Sequence, residues 1–159
     1  MSTAIPSRPR QIGQRRTFAI VASQYNSEFV SGLVEHARRE LEAISPNFSI
    51  NIYEVPGAYE IPLVVQEIAS KGAVDAIIAL GVIIAGETAH ASLIATAITN
   101  SLLQISLANR VPVIHEVLLV QTPEQARARC LEEEINRGTE AARVAAQMVQ
   151  TMSSLRSLR

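Results

Sequence analysis

Apolar residues recur along this chain in two alternating rhythms. Short runs over 17–23, 49–55, 75–81 and 111–117 have the length and β-branched content of buried strands. Between them the spacing opens to that of helices. Phe29, Leu33, Ala37, Leu41 and Ile44 mark one stripe, and Ile61, Val64, Val65 and Ile68, ahead of Gly72, mark a shorter one. After the fourth strand, Thr122-Pro123-Glu124 reads as a cap and a first-turn proline. Gly138 then separates that helix from a last one carrying Ala142, Ala145, Met148 and Val149. Strands alternating with helices call for crossover connections, so the predicted class is α/β, with a central four-stranded parallel sheet between helical layers. Ligands of such sheets bind beyond the carboxyl ends of the strands, which singles out 24–28, 56–62, 83–90 and 115–122.

One segment breaks the amphipathic pattern. Residues 91–109 carry no charge, and Leu93, Ile94, Ala97, Ile98, Leu102, Ile105 and Leu107 spread around more than one helical face. A membrane span is disfavoured by Ser92, Thr96, Thr99, Asn100, Ser101, Gln104, Ser106 and Asn109. Two readings stay open: a helix shared between its own core and another subunit, or a central helix with an uncharged polar face.

Composition narrows the class. With 159 residues the chain can bury one core, and 48% hydrophobic against 18% charged residues excludes disorder. A net charge of −1 gives no footprint for nucleic acid. The single Cys130 cannot form an internal bridge, no Cys/His cluster suggests a metal, and the first 25 residues lack a signal-peptide core, so a cytoplasmic setting is expected. Residues 1–16, with Pro6, Pro9, Gly13 and four arginines, read as a flexible tail; 17–155 form the domain and 156–159 a short C-terminal tail.

The turns carry the candidate chemistry. Amides of Gly86, Glu87 and Thr88 at the start of the uncharged helix could seat an anion, although Thr88 could equally be a plain cap. The spacing matches neither common nucleotide-phosphate motif, and the only lysine, Lys71, lies elsewhere. His90, in the first helical turn, is placed to exchange protons near neutral pH. His36, between Glu35 and Arg38, reads as a solvated side chain, whereas His115 could be a pocket wall or a satisfied core histidine. Pro56 and Pro62 stiffen a turn around Gly57 that ends in Glu60, a possible site carboxylate or a first-turn acid favoured by the helix dipole. Tyr25 offers a ring face, and Asn26 an amide that either meets a ligand or caps the next helix. Ring, amide, carboxylate and anion seat together fit a polar heteroaromatic or polyol ligand with a phosphate nearby.

These turns resemble a known family. VPGAYEIPL over 55–63 is joined by AIIALG over 76–81, GETAH over 86–90, VPVI over 111–114, and QARAR over 125–129 followed by NRGTEAA over 136–142. Their order and spacing resemble 6,7-dimethyl-8-ribityllumazine synthase over residues 17–152. The resemblance implies a flavodoxin-like three-layer αβα subunit forming homopentamers, alone or in multiples, with each active site shared between neighbours. It implies condensation of 5-amino-6-(ribitylamino)uracil with 3,4-dihydroxy-2-butanone 4-phosphate, without metal or organic cofactor. By position, Tyr25 stacks on the pyrimidine with Asn26 beside it, and Ala58, Tyr59 and Glu60 meet the ribityl chain. Val82, Ile83 and Ile84 line the pyrimidine, and Glu87 and Thr88 offer amides to phosphate. His90 moves protons, and Arg129, from the same subunit or its neighbour, binds phosphate. The chain departs from the pattern at Ala85 (usually arginine), Ala91 (usually aromatic), His115 (often phenylalanine against the pyrimidine) and the acidic stretch 131–134. A noncatalytic flavin- or lumazine-binding oligomer of the same fold is the alternative those departures suggest.

Overall fold

The structure is a computed structural model and describes residues 5–9, 14–44, 47–86 and 89–158. Strands β1 (Arg16–Ser23), β2 (Phe48–Val55), β3 (Ala76–Ile84) and β4 (Val113–Val120) alternate with helices α1 (Ser27–Ile44), α2 (Ile61–Ser70) and α3 (His90–Asn109). Two further helices, α4 (Pro123–Cys130) and α5 (Arg137–Ser157), complete the chain. The sheet order is β2-β1-β3-β4 and every pairing is parallel. One face packs on α1, α4 and α5 through Leu33, Ala37, Ala126, Ala141 and Ala145; the other packs on α2 and α3 through Ile61, Val65, Ile98 and Leu102. This is the predicted three-layer α/β architecture.

The third and fourth strands extend further than their patterns suggest. Gly81 does not end β3: it pairs with Val117 and the strand continues through Ile84. A Cβ at Gly81 would meet Ser23 Oγ at 3.1 Å and Val117 Cγ1 at 3.2 Å, so the glycine answers to crowding inside the sheet. Val82, Ile83 and Ile84 are therefore strand residues rather than turn residues. β4 likewise runs on through Leu118, Leu119 and Val120, which leaves His115 inside the strand, opposite Ala79, instead of at its end.

Gly138 is also not a separator. It is the second residue of α5, and a Cβ there would meet Leu33 O at 2.2 Å, so α1 and α5 approach at this point as only glycine allows. The helix is capped by Asn136, fully buried, whose Oδ1 accepts from Gly138 N at 2.9 Å and Thr139 N at 3.2 Å. Its Nδ2 donates back to Cys130 O at 2.9 Å and Glu132 O at 3.0 Å, tying the α4–α5 linker to the helix it precedes. The expected cap at Thr122 is present, its Oγ1 accepting from Gln125 N at 3.3 Å.

Two expectations about polar residues change. Part of the expected tail is held: Arg8 forms two 2.8 Å bonds to the buried Glu40, Arg143 Nη1 donates to Pro6 O at 2.8 Å, and Gln147 donates to Ser7 O at 3.1 Å. With Arg143 Nε also 2.7 Å from Glu40, the arginine hydrogen bonds hold that carboxyl below its usual range. His36 is buried rather than solvated, its Nδ1 3.0 Å from Arg39 Nη2.

Within the single subunit α3 buries only Ile98, Leu102 and Ile105, while Leu93, Leu103 and Leu107 stand 69%, 59% and 68% exposed. The helix is thus fastened to its own sheet along one stripe and uncovered elsewhere.

Gly138→Ala is expected to lower stability by about 1–3 kcal/mol despite the better helix propensity of alanine, because the clash is with backbone. Urea unfolding at fixed protein concentration checks this; an unchanged midpoint would refute the close-approach argument.

Candidate active site

Sheet topology locates the site before any side chain is considered. From β1 the chain crosses to β2 on one side, and from β2 it crosses back to β3 on the other, so a crevice opens beyond the carboxyl ends of β1 and β3. Tyr25 and Asn26 leave β1 there. Asn26 adopts a left-handed φ of 54°, which asparagine tolerates, and its Nδ2 donates to Val82 O at 2.8 Å. Its carbonyl accepts from Phe29 N at 3.0 Å and Val30 N at 3.1 Å, closing the first turn of α1. The amide thus bridges β1 and β3 across the crevice.

The second wall comes from the turn after β2. Gln24 N donates to Val55 O at 2.8 Å and Tyr25 N to Pro56 O at 3.2 Å, so the proline-stiffened turn is laid directly beside the tyrosine. Ala58–Glu60 form a short 3-10 turn leading into α2, with Pro62 in its first turn. The Glu60 carboxylate folds back toward Gly57, where a Cβ would stand 2.7 Å from Oε2 and 3.9 Å from the Tyr25 ring. A side chain at 57 would displace the carboxylate.

The resulting cleft of about 460 Å³ is lined by Tyr25, Asn26, Ala58, Tyr59, Glu60, Val82, Ile83, Ile84 and His90, together with Gly57 and Ile94. Tyr25, Tyr59, Glu60 and His90 are exposed, their polar ends accessible to a ligand. Nine of the expected residues therefore meet in one place. Gly57 and Ile94 were not anticipated; the position of Gly57 between Pro56 and the 58–60 contacts was the signal for the first, while Ile94 is one turn beyond His90 on α3. Glu87 and Thr88 lie outside the described residues.

His115 and Arg129 are not in this cleft. His115 Nδ1 accepts from Val117 N at 3.1 Å, which puts the ring proton on Nε2, 2.8 Å from Thr99 Oγ1; the threonine in turn donates to Ala95 O at 2.8 Å. Burial lowers the imidazole pKa, so the ring is a neutral tie between β4 and α3. Its mid-strand position is the reason it misses the crevice within its own subunit. Arg129 is on α4, its Nη1 donating to Gln125 O at 3.2 Å and its Nε buried without a hydrogen-bond partner among the described residues.

His115 instead borders a second cleft of about 480 Å³ at the outer edge of β4, with Glu116, Arg137 and Glu140. The Arg137 guanidinium is paired with Glu140. Within the acidic linker, Glu133 turns to α1 and meets Arg39 at 2.7 Å and His36 at 3.9 Å. Its hydrogen bond from Arg39 holds the carboxyl low. Among the described residues no group of three or more metal-ligating side chains occurs.

With this geometry in place, comparison with known proteins decides the family. A family model described as 6,7-dimethyl-8-ribityllumazine synthase matches residues 15–153. The chain belongs to this family. A lumazine synthase of Halorhodospira halophila is 38% identical over 143 residues, covering 89% of this chain and 92% of that protein. One of Pediococcus pentosaceus is 38% identical over 132 residues, covering 82% and 84% of the two chains. A protein named 6,7-dimethyl-8-ribityllumazine synthase 1, from Caulobacter vibrioides, is 39% identical over 139 residues, covering 87% and 91%. The match spans all four strands, so the lumazine synthase assignment covers the whole sheet and both clefts.

Asn26→Ala loses both the bond to Val82 O and a residue suited to the left-handed turn, whereas Asn26→Gly loses only the bond. The alanine variant is expected to be the less stable by about 1 kcal/mol. Equal unfolding midpoints would show that the turn does not need its left-handed residue.

Proposed function

We propose that this chain is a 6,7-dimethyl-8-ribityllumazine synthase, condensing 5-amino-6-(ribitylamino)uracil with 3,4-dihydroxy-2-butanone 4-phosphate and releasing phosphate and water. The observation that carries the reading is the gathering of Tyr25, Tyr59, Glu60 and His90, from three separate turns, around one cleft in a chain of this family. The Tyr25 ring stacks on the pyrimidine, whose edge is met by backbone groups at Val82, Ile83 and Ile84, with Asn26 beside it. Ala58, Tyr59 and Glu60 receive the ribityl hydroxyls. His90 passes protons between the two substrates. The amides of Glu87 and Thr88, with Arg129, hold the phosphate.

The chemistry suits so spare a site. Imine formation, phosphate loss, ring closure and dehydration are proton transfers on a reactive amine and a reactive ketone, so holding the two partners together supplies much of the acceleration. Charge is what one subunit lacks. Its cleft contains a carboxylate and an imidazole but no arginine or lysine among the described residues, while Arg129 lies elsewhere on the subunit. A phosphate-bearing substrate needs a cation, and a neighbouring copy supplies one.

Self-association also gives the exposed leucines of α3 a partner. α3 has the length and composition of a membrane-crossing helix, yet three of its residues are built into the core on the sheet, and its uncovered face suits a copy of itself. Homopentamers, alone or in multiples, are the assembly proposed, and the cytoplasm the setting.

The test is turnover with both substrates, followed by the absorbance and fluorescence of the lumazine product above the spontaneous reaction. His90→Ala is expected to reduce turnover about a hundredfold. Arg129→Ala is expected to act mainly on the KM of the phosphate substrate, with assembly size unchanged in both variants. Product formation no faster than background, with lumazine still bound, would replace this reading with a noncatalytic binding oligomer.

A further inference from the structure

Arg129 is followed closely by three exposed carboxylates, those of Glu132, Glu133 and Glu134, yet among the described residues it forms no ion pair. Its Nη1 donates to Gln125 O on its own helix at 3.2 Å, and its buried Nε has no hydrogen-bond partner among the described residues. A carboxylate tethered so near a guanidinium with a donor to spare ordinarily closes on it. The ties of the linker account for the separation. Asn136 Nδ2 donates to Cys130 O at 2.9 Å and to Glu132 O at 3.0 Å, while Glu132 N donates to Arg127 O at 3.3 Å, so the first glutamate is held through both its backbone groups. Glu133 is drawn away by Arg39 on α1, at 2.7 Å. The linker also lies tight on α1 at Gly32, where a Cβ would meet Cys130 O at 2.6 Å. We propose that Asn136 is a positioning residue for Arg129: it holds the acidic linker on a course that keeps Glu132, Glu133 and Glu134 from pairing with the guanidinium, which is thereby left for the substrate's phosphate.

The competition that Asn136 prevents is intramolecular. A glutamate a few residues along the chain meets Arg129 at an effective concentration set by its short tether, which a dissolved substrate does not match. Each such pair would cancel the charge that Arg129 brings to phosphate. Asn136 is placed to stop this because one fully buried amide serves both sides of the junction. Its Oδ1 accepts from Gly138 N and Thr139 N at the start of α5, and its Nδ2 holds the carbonyl of the residue that follows Arg129. The two duties are separable. Serine caps a helix about as well as asparagine does, but its hydroxyl carries a single proton and cannot serve both Cys130 O and Glu132 O.

This inference rests on Arg129 as the phosphate ligand of the proposed reaction, but its first readout does not require turnover. Inorganic phosphate is the probe, titrated calorimetrically at constant pH into the full-length assembled protein. Asn136→Ser is expected to weaken phosphate binding about tenfold. In turnover it is expected to raise the KM of the phosphate substrate by the same factor and to leave that of the ribitylaminouracil unchanged. Adding Glu132→Gln, Glu133→Gln and Glu134→Gln is expected to restore the native affinity while the lowered unfolding midpoint remains, since removing charge does not mend a packing defect. On an Arg129→Ala background, Asn136→Ser is expected to raise the KM no further. Arg39→Ala releases Glu133 alone, through an exposed pair of little weight in stability. It is expected to weaken phosphate binding about threefold, reversed by Glu133→Gln, and it decides the matter if Asn136→Ser does not fold. Native affinity in the folded variants, a loss that the glutamines do not reverse, a further rise in KM on the Arg129→Ala background, or a native protein that binds no phosphate would each overturn the proposal. Failed turnover with the charge-reversible phosphate binding intact would instead count against the synthase reading alone.

Discussion

A parallel sheet whose middle strands send the chain off in opposite directions has to part at their carboxyl ends. β1 and β3 are those strands here, and everything chemical about the subunit depends on how the gap between them is held. The Asn26 amide spans it at 2.8 Å, using a backbone conformation that few side chains accept. With that bridge in place, Tyr25, the Val82–Ile84 end of β3 and Glu60 of the proline-stiffened turn line one cleft.

The second organising feature is the separation of aromatic and cationic surfaces. The crevice offers rings, an imidazole and a carboxylate, suited to a heterocycle bearing a polyol. Arg129 lies on α4 and Arg137 on α5, helices that approach α1 closely at Gly32 and Gly138. In the proposed assembly one subunit's crevice faces another's arginine-bearing side, so recognition of the heterocycle and of the phosphate are functions of different copies. An uncharged α3 with three exposed leucines then follows as the cost of an interface that cannot tolerate unpaired charge.

Much of this was legible in the sequence, for identifiable reasons. Strand and helix rhythms gave the layers because each element buries one side on a single sheet. The turn residues were found because proline, glycine and asparagine record backbone geometry directly. Where the reading failed, the cause was tertiary. Gly81 looked like a strand end, but crowding by Ser23 and Val117, from strands distant in sequence, explains it. His115 could be read as a pocket wall or a satisfied core histidine; its hydrogen bonds to Thr99 and to its own strand, and its place at the rim of the second cleft, come from α3 and from β4 being an edge strand. Glu133 looked like an unwelcome charge near phosphate until α1 supplied Arg39. None of these partners is visible in local spacing.

The buried Asn136 side chain makes four hydrogen bonds, two accepted from the start of α5 and two donated to carbonyls of the preceding turn. An oxygen in place of its Nδ2 would confront both carbonyls with no proton to offer. Slow deamidation, the ordinary ageing reaction of asparagine, would make that exchange and turn the junction between the two arginine-bearing helices from a clasp into a repulsion. Burial of that amide, away from the water deamidation consumes, protects the junction chemically as well as holding it in place.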